Sequence, residues 1–395
     1  DGNHLEESGG DGGMRYTIGQ LAEIIDGDRG KNYPKQDEFY PQGYCLFLNT
    51  GNVTKEGLIF EENQFIMKEK DEALRNGKLK RGDIVYTTRG TVGNAGYYNS
   101  SVPYENVRIN SGMVILRSNG EIVDARFLYQ ILKSEYYRPY FKQYCTGSAQ
   151  PQLPIKNFSQ IYLNVPDIKT QHRIADILSV YDNLIENNQK QIKLLEEAAQ
   201  RLYKEWFVDL RFPGHENTKI VDGVPEGWRR GLLKELISVN YGKDHKKAPD
   251  DGNIPVYGSG GLMRKCNKSL FSGEAVLIPR KGSLNNIMYV DETFWTVDTM
   301  FYATMKQPHT AVFVYFFVKA FDMYSMNIGA AVPSMTTKIL DAMDVVIPDK
   351  ETLEKFDKLT KTYFNKIKTL QGQNERLKIA RDLLLAKLMS GEVEV

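Results

Sequence analysis

Basic and aromatic side chains stand beside glycines in several short stretches of this 395-residue chain. GDRGKNYP at residues 27–34 follows an apolar run at 18–25, and RGTVG at 89–93 follows a second apolar run at 83–87. Lysine and arginine supply hydrogen-bond donors, and glycine lets a backbone approach a ligand closely. These stretches therefore indicate binding loops.

Residue patterns typical of catalysis are missing from the sequence. The histidines stand at 4, 172, 215, 245 and 309, without the spacing of a metal site. There is no phosphate-cradling GxxxxGK[ST] motif and no strand-linked glycine motif for a methyl donor. GSGG at 258–261 is interpreted as a turn. Acids near Pro348 and Asp349 resemble a nuclease cluster, but they open a heptad helix, so helix capping is the preferred explanation.

Composition and charge are those of a globular protein. Three isolated cysteines, at 45, 145 and 266, predict neither a disulfide framework nor a zinc site, and a buried, inert thiol is expected at Cys266. The longest apolar run, at 311–321, is too short to span a membrane, so a cytoplasmic protein is expected. Residues 1–13 read as an expression-vector remnant with four acids and no lysine or arginine. The charge is +1 for the whole chain and +5 without that remnant.

Two stretches of about 39 residues each predict one long helix, at 170–208 and at 350–390. Apolar residues recur every seven positions in both. The predicted seam comprises Ile174, Tyr181, Asn188, Leu195 and Leu202 in the first helix and Phe356, Tyr363, Leu370, Leu377 and Leu384 in the second. Ile177, Leu184 and Ala198 are expected to supply the other half of the first seam, with a further apolar line beside them at Leu178, Ile185, Ile192 and Ala199. In the second helix, Leu359, Ile367, Ala380 and Leu388 are expected beside the seam.

The two helices belong to a tandem repeat, because adding 182 to each seam number of the first gives the second. GSAQPQL at 147–153 aligns with GAAVPSM at 329–335 in the same register. Residues 82–89 are echoed at 273–280, and 127–133 at 313–319. Strands are predicted at 44–48, 83–87, 113–116 and 161–165, with a helix at 125–134.

The order of the two repeats favours antiparallel pairing of the long helices. Each would be about 58 Å long and could act as a spacer of fixed length. Asn188 on the seam and Asn374 beside it could fix the register, with a solvated flank as the alternative.

The chain resembles the DNA sequence-specificity subunits of type I restriction-modification systems. The repeat of a divergent unit followed by a long helix carries this resemblance, together with QPQL at 150–153 and VPDIKTQ at 165–171. PEGW at 225–228, IPVYGSGG at 254–261 and ARDLLLAKLMSGE at 380–392 are similar to the family as well.

The resemblance implies an α+β fold with two β-rich target-recognition domains, separated by two long helices that form an antiparallel coiled coil. The expected divisions are a remnant at 1–13, recognition domain 1 at 14–166, a central helix at 167–208, a linker at 209–224, recognition domain 2 at 225–348 and a C-terminal helix at 349–391.

The resemblance also implies the function and the partners. Each recognition domain would read one half of an asymmetric, bipartite site in double-stranded DNA. The subunit itself would be non-catalytic and would recruit two methyltransferase subunits and the restriction (translocase) subunits. S-adenosylmethionine, which would methylate adenine, would be bound by those partners and not by this chain, as would ATP and Mg²⁺.

Base edges are read by Arg or Lys at guanine and by Asn or Gln at adenine. The DNA-binding residues predicted in the first domain are Lys31, Asn32, Tyr33, Lys35, Arg89 and Arg108. Those predicted in the second are Tyr241, Lys243, Lys246, Tyr257, Ser259, Arg280 and Lys281. Arg89 and Arg280 stand at matching positions of the sequence echo, which singles them out.

Two other readings are open. A two-domain protein-interaction scaffold without DNA recognition agrees with the low net charge, and it predicts no salt-dependent affinity for DNA. A standalone nuclease or methyltransferase would need a metal or methyl-donor site, for which the sequence offers no motif.

Overall fold

The computed structural model describes residues 13–147, 150–326 and 334–395. Of the predicted vector remnant, residues 1–12 lie outside this part. The chain divides into two compact units. Unit 1 comprises Asp1–Asn187 with Gln373–Val395, and unit 2 comprises Asn188–Gly372. Both divisions fall inside long helices, so each long helix contributes one part to each unit.

Unit 1 is built mostly from short strands and short helices. Its strands are β1 (Met14–Thr17), β2 (Ala22–Asp26), β3 (Cys45–Leu48), β4 (Val53–Thr54), β5 (Gly57–Leu58), β6 (Phe65–Ile66), β7 (Ile84–Thr87), β8 (Ala95–Tyr97), β9 (Val107–Ile109), β10 (Met113–Ser118) and β11 (Tyr162–Val165). Its short helices are α1 (Ile18–Leu21), α2 (Lys68–Ala73), α3 (Ala125–Lys133), α4 (Arg138–Lys142) and α5 (Ile155–Ser159). The main sheet has the order β2-β10-β7-β8, and a smaller one has the order β6-β3-β9.

The first long helix, α6 (Ile168–Tyr203), leads into unit 2, which is built on one larger sheet. The strands of unit 2 are β12 (Ile220–Val221), β13 (Val224–Pro225), β14 (Arg229–Leu232), β15 (Ile237–Tyr241), β16 (Ile254–Gly258), β17 (Gly261–Cys266), β18 (Phe271–Pro279), β19 (Met288–Thr296), β20 (Met300–Met305) and β21 (Asp344–Ile347). The helices that follow are α7 (Ala311–Lys319), α8 (Thr337–Asp341) and the second long helix, α9 (Lys350–Met389). The sheet order is β15-β20-β18-β19-β16-β17.

The mixed helix and sheet architecture agrees with the predicted fold class. The strands predicted in the first unit are confirmed as β3, β7, β10 and β11, and the predicted helix as α3. Asp124 caps α3 by accepting hydrogen bonds from the backbone amides of Arg126 (2.8 Å) and Phe127 (3.0 Å). Phe127 and Ile131 are fully buried beside the main sheet. Burying each contributes about 1.5–3 kcal/mol, which fixes the helix on the sheet.

The repeat extends through both globular parts. Met14 on β1 pairs with Val165 on β11 in unit 1, and Arg229 on β14 pairs with Ile347 on β21 in unit 2. The echo between 127–133 and 313–319 is confirmed, because these residues form most of α3 and α7. Of the echoed stretch at 147–153 and 329–335, residues 148, 149 and 329–333 lie outside the described residues.

Both long helices begin at the same cap. Asp167 accepts hydrogen bonds from the Thr170 amide (3.1 Å) and hydroxyl (2.6 Å), and Asp349 accepts the same two from Thr352 at 2.9 and 2.7 Å. The Thr170 hydroxyl is the largest cause of the lowered pKa of Asp167. Helix capping therefore accounts for Asp349, as the sequence predicts. At its other end, α6 is followed directly by the π-helical turn Lys204–Val208.

The long helices run in opposite directions within each unit. In unit 1, Ile174 near the beginning of α6 shares a core with Leu385 and Leu388 near the end of α9. In unit 2, Tyr203 at the end of α6 contacts Phe356 near the beginning of α9, with ring centroids 6.4 Å apart. This pairing agrees with the antiparallel order that the sequence favours.

The burial of the predicted seam is uneven. Ile174, Asn188, Phe356 and Leu370 are buried, whereas Tyr181, Leu195, Leu202, Tyr363, Leu377 and Leu384 are partly buried. The expectation for Ile177, Leu184 and Leu359 is wrong, because these side chains are 36%, 46% and 45% exposed. The further line predicted in α6 is buried at Leu178, Ile185 and Ala199 and partly buried at Ile192, whereas Ala380 of α9 is exposed. Asn188 and Asn374 are only 8% and 5% exposed, so the solvated-flank alternative is wrong.

Unit 1 has an ionic cluster where α3 faces the long helices. Asp182 accepts hydrogen bonds from Lys133 (2.6 Å), Gln130 (2.6 Å) and Arg381 (2.8 Å). Burial raises the pKa of Asp182, but the charges of Lys133 and Arg381 outweigh it and hold the pKa below its ordinary value. Burial also lowers the pKa of Lys133 to about 8. In unit 2 the residue that corresponds to Asp182 is Phe364, which packs 4.7 Å from Tyr289.

Candidate nucleic-acid interface

A three-residue loop between β19 and β20, at 297–299, joins several of the predicted binding segments of unit 2. The Val297 amide donates to the Tyr257 carbonyl at 3.0 Å, and the Lys243 amide donates to the Thr296 carbonyl at 2.9 Å. The Arg280 and Lys281 amides both donate to the Thr299 carbonyl, at 2.8 and 3.4 Å. We call residues 297–299 the central loop of unit 2.

Contacts of its guanidinium hold the Arg280 side chain against this loop. Its Nη1 donates to the Asp298 carbonyl at 2.8 Å, and the guanidinium lies 4.9 Å from the ring centroid of Tyr241 and 5.2 Å from that of Phe301. Cation–π contact on aromatic faces and one hydrogen bond together fix the plane of the guanidinium. The Tyr241 side chain is 55% exposed, so this cluster lies at the surface of unit 2.

Unit 1 has a loop of the same kind at 110–112, which we call its central loop. The amides of Thr88 and Arg89 both donate to the Gly112 carbonyl, at 2.9 and 3.1 Å. Leu153 donates to the Thr88 carbonyl at 2.9 Å, as Met335 donates to the Arg280 carbonyl at 2.9 Å. Thr88 therefore corresponds to Arg280.

The predicted match of Arg89 with Arg280 is wrong by one residue. Strand register decides this, because Thr87 pairs with Met113 in unit 1 and Pro279 pairs with Met300 in unit 2. Arg89 corresponds to Lys281, and both side chains are exposed.

Arg29, which sequence analysis missed, is the unit 1 counterpart of the Arg280 guanidinium. Its Nη2 donates to the Ser111 carbonyl at 3.2 Å and to Oδ1 of Asp26 at 3.1 Å. Ser111 and Asp298 both stand two residues before the first residue of the next strand, β10 or β20. An arginine thus contacts the same carbonyl of both central loops, although it is supplied by different segments of the chain.

A glycine beside each central loop is the signal that could have identified Arg29. A β-carbon on Gly27 would lie 2.3 Å from the Asn110 carbonyl oxygen, and one on Gly242 would lie 2.0 Å from that of Val297. Both contacts are too short for any other residue, so both loops require glycine there. In the sequence, each glycine comes directly after a strand, β2 or β15.

The prediction that Arg108 binds DNA is wrong. Its side chain is only 5% exposed, and its guanidinium donates to Oδ1 of Asp71 at 2.5 Å and to the carbonyls of Asp71, Leu74 and Asn76 at 2.7–3.1 Å. Burial raises the pKa of Asp71, but hydrogen bonds from Lys78 and Arg108 outweigh it and hold the pKa below its ordinary value. Arg108 is a structural ion-pair residue of unit 1.

The other predicted residues of unit 1 lie on the loop at 27–35. Lys31 and Lys35 are exposed. Asn32 donates to the Ala73 carbonyl at 2.9 Å, and Tyr33 packs edge-on against Phe47 at 5.7 Å, so both side chains hold the loop in place. Of the four predicted residues in this loop, the two lysines are therefore the ones whose side chains remain available as donors.

In unit 2 the remaining predicted residues also comprise exposed side chains and side chains that make contacts within the unit. Lys243, Lys246 and Lys281 are exposed, and Ser259 is partly buried beside Gly282. The Tyr257 hydroxyl donates to Glu292 at 2.5 Å; burial first, and then this contact, raises the pKa of Tyr257 above its usual range. Lys246 lies in the short 3₁₀ helix His245–Lys247.

Among the described residues, no group of three or more His, Cys, Asp or Glu side chains is placed to hold a metal ion. Cys45 and Cys266 are fully buried, and burial raises the pKa of the Cys45 thiol to about 12. In the described ranges no helix is long and apolar enough to cross a bilayer.

Each unit also has an apolar groove beside a long helix. In unit 1 a groove of about 640 Å³ lies between the end of α3 and the end of α9, lined by Lys133 and Leu383 among others. In unit 2 a groove of about 470 Å³ lies between the end of α7 and the end of α6, lined by Lys319 and Val208 among others. Lys133 and Lys319 are the last residues of α3 and α7, so the two grooves are equivalent.

Comparison with known proteins agrees with this duplicated architecture. The family described as "Type I restriction modification DNA specificity domain" matches residues 12–197 and again residues 225–378. The MjaIX specificity subunit of Methanocaldococcus jannaschii is 24% identical over 356 residues, covering 80% of this chain and 78% of that protein. The HindI specificity subunit of Haemophilus influenzae is also 24% identical, covering 93% of this chain and 98% of its own length.

Among solved structures, the type I restriction-modification S subunit of M. genitalium has the same fold, with a TM-score of 0.53 at 18% identity, covering 96% of both chains. The chain belongs to the type I restriction-modification DNA specificity family. The comparisons give no support to a protein-interaction scaffold without DNA recognition.

Proposed function

We propose that unit 1 and unit 2 each read one half of an asymmetric, bipartite site in double-stranded DNA, and that the chain itself is non-catalytic. The observation that carries this proposal is the duplicated central loop, with an arginine held at the equivalent carbonyl in both units. Two similar loops with different surrounding side chains suit the reading of two different short sequences. Exposed lysines and arginines beside them supply donors for phosphates.

The proposed partners are two methyltransferase subunits and the restriction subunits. S-adenosylmethionine, ATP and Mg²⁺ would be bound by those partners. The equivalent apolar grooves of unit 1 and unit 2 support the proposal of two methyltransferase subunits, because two copies of one partner need two similar surfaces. The long helices would set the distance between the half-sites.

The test is sequencing of modified adenines in DNA from cells that express this chain with its cognate methyltransferase subunit. A split motif of two short specific halves around a fixed spacer is expected. The purified complex should also lose affinity for the site steeply as salt rises, because phosphate contacts release counterions. A well-formed complex that modifies no DNA and binds it without salt dependence would overturn the proposal.

A further inference from the structure

Arg29 and Arg280 are held in a way that suits a base edge better than a phosphate. A phosphate needs only a positive donor, which the exposed side chains of Lys243 and Lys281 already provide. Guanine presents two acceptors, O6 and N7, which match the planar fork of a guanidinium held in one orientation. Stacking on Tyr241 and the bond to Asp298 supply that orientation for Arg280.

In unit 1 the charge balance leads to the same conclusion. The Asp26 carboxylate lies 3.1 Å from the Arg29 guanidinium, and both side chains are partly exposed, at 31% and 43%. A carboxylate at this distance offsets the positive charge and repels phosphates. It leaves the other N–H groups of the guanidinium able to donate to an uncharged acceptor. A guanine edge is such an acceptor. Asp26 therefore favours contact of Arg29 with a base edge over contact with a DNA phosphate.

We propose that Arg29 and Arg280 are the guanine-reading residues of the two units, so that each half of the recognised site contains a guanine that depends on one of them. This inference rests on the proposed function and adds the base identity. It also assigns Arg29 and Arg280 the same role, although Arg29 follows β2 and Arg280 follows β18.

The experiment compares the complex of full-length chain and cognate methyltransferase subunit with four variants, Arg29→Ala, Arg29→Lys, Arg280→Ala and Arg280→Lys. Modified-adenine sequencing gives the motif, and fluorescence anisotropy with duplexes that carry each base at each motif position gives the preference. Arg280→Ala should reduce the preference for guanine at one position of one half by about 10- to 100-fold. Arg29→Ala should do the same in the other half.

The lysine variants separate base reading from phosphate contact. Arg280→Lys keeps the charge but loses the planar fork, so the guanine preference should fall while the salt dependence stays unchanged. Arg230→Ala is the matched control, because Arg230 is also an exposed arginine bonded to one carbonyl, that of Asp222 at 2.8 Å, on β14. The DNA motif modified by the Arg230→Ala complex should be the same as that modified by the parent complex.

Three results are decisive. A parent complex with no split motif overturns the proposed function itself. A split motif in which either half lacks guanine overturns only this inference, as does an alanine variant that weakens binding equally on all sequences. Thermal unfolding identifies any variant that fails to fold, and the lysine variant at the same position then supplies the answer.

Discussion

At the scale of single residues, arginines in this chain have two opposite roles that their sequence context does not separate. Arg108 and Arg29 both lie near glycines and apolar runs. Arg108 stands in the middle of β9, whose three residues are all buried, whereas Arg29 follows β2 in a turn. A three-residue strand is too short to show which face is buried, so sequence alone could not place Arg108 in the interior.

Arg108→Ala should destabilise the isolated chain by about 3–5 kcal/mol, because it removes one of the two cations, Arg108 and Lys78, that are bonded to the buried Asp71 carboxylate. Urea unfolding followed by circular dichroism measures this change. The control is Arg89→Ala, whose exposed side chain should change stability by no more than about 0.5 kcal/mol. Equal effects of the two substitutions would contradict the structural role of Arg108.

Acid should remove the contribution of Asp71 to stability. The folded pKa of Asp71 lies below the ordinary value of 3.8, so the ionised carboxylate stabilises the fold fully above that pH, and the contribution is lost as pH falls through the folded pKa. The stability difference between the parent chain and Asp71→Asn should therefore be larger at pH 7 than at pH 2. Equal stability differences at the two pH values would contradict this role of the Asp71 carboxylate.

At the scale of elements, local patterns predicted the helices well and the strand alignment less well. Heptads and the Asp-x-x-Thr cap are properties of neighbouring residues, so both long helices could be predicted from sequence. The match of Arg89 with Arg280 failed because strand register depends on β10 and β20, which lie elsewhere in the chain. Arg29 was missed for the same reason, since its role depends on the contact with Ser111.

Gly242→Ala should disturb the central loop of unit 2. The new β-carbon would lie 2.0 Å from the Val297 carbonyl oxygen, and a backbone atom can relieve that contact only by moving the loop. We expect a loss of about 1–3 kcal/mol of stability and weaker binding to one half-site. Gly260→Ala is the control, because no atom lies within 4 Å of its β-carbon position. Thermal unfolding and anisotropy should show no change for that variant.

At the scale of the whole molecule, the repeat was the most informative feature of the sequence. It predicted two similar units with long helices, and the family match repeats in the same two places. The middles of the units have diverged, so individual binding residues could be assigned only from three-dimensional contacts.

Shortening both long helices by one heptad tests their proposed role as a spacer. Removing residues 185–191 and 367–373 keeps the buried face of each helix aligned and shortens each by about 10 Å. The spacer between the half-sites should then become about 3 base pairs shorter, since base pairs are about 3.4 Å apart. Modified-adenine sequencing measures the spacer directly. Removing two residues from each helix is the control, because it rotates the buried face by about 160° and should abolish modification.

The ionic cluster of unit 1 limits how the gene for this chain can recombine. Asp182 needs Arg381, but the residue of α6 that corresponds to Arg381 is Ala199, and the residue of α9 that corresponds to Asp182 is Phe364. A crossover that duplicated the first helix would leave Asp182 without its arginine. Exchange of the diverged middles leaves this pairing intact. Recombination can therefore change the DNA sequences that the two units read, provided that the order of the two long helices is preserved.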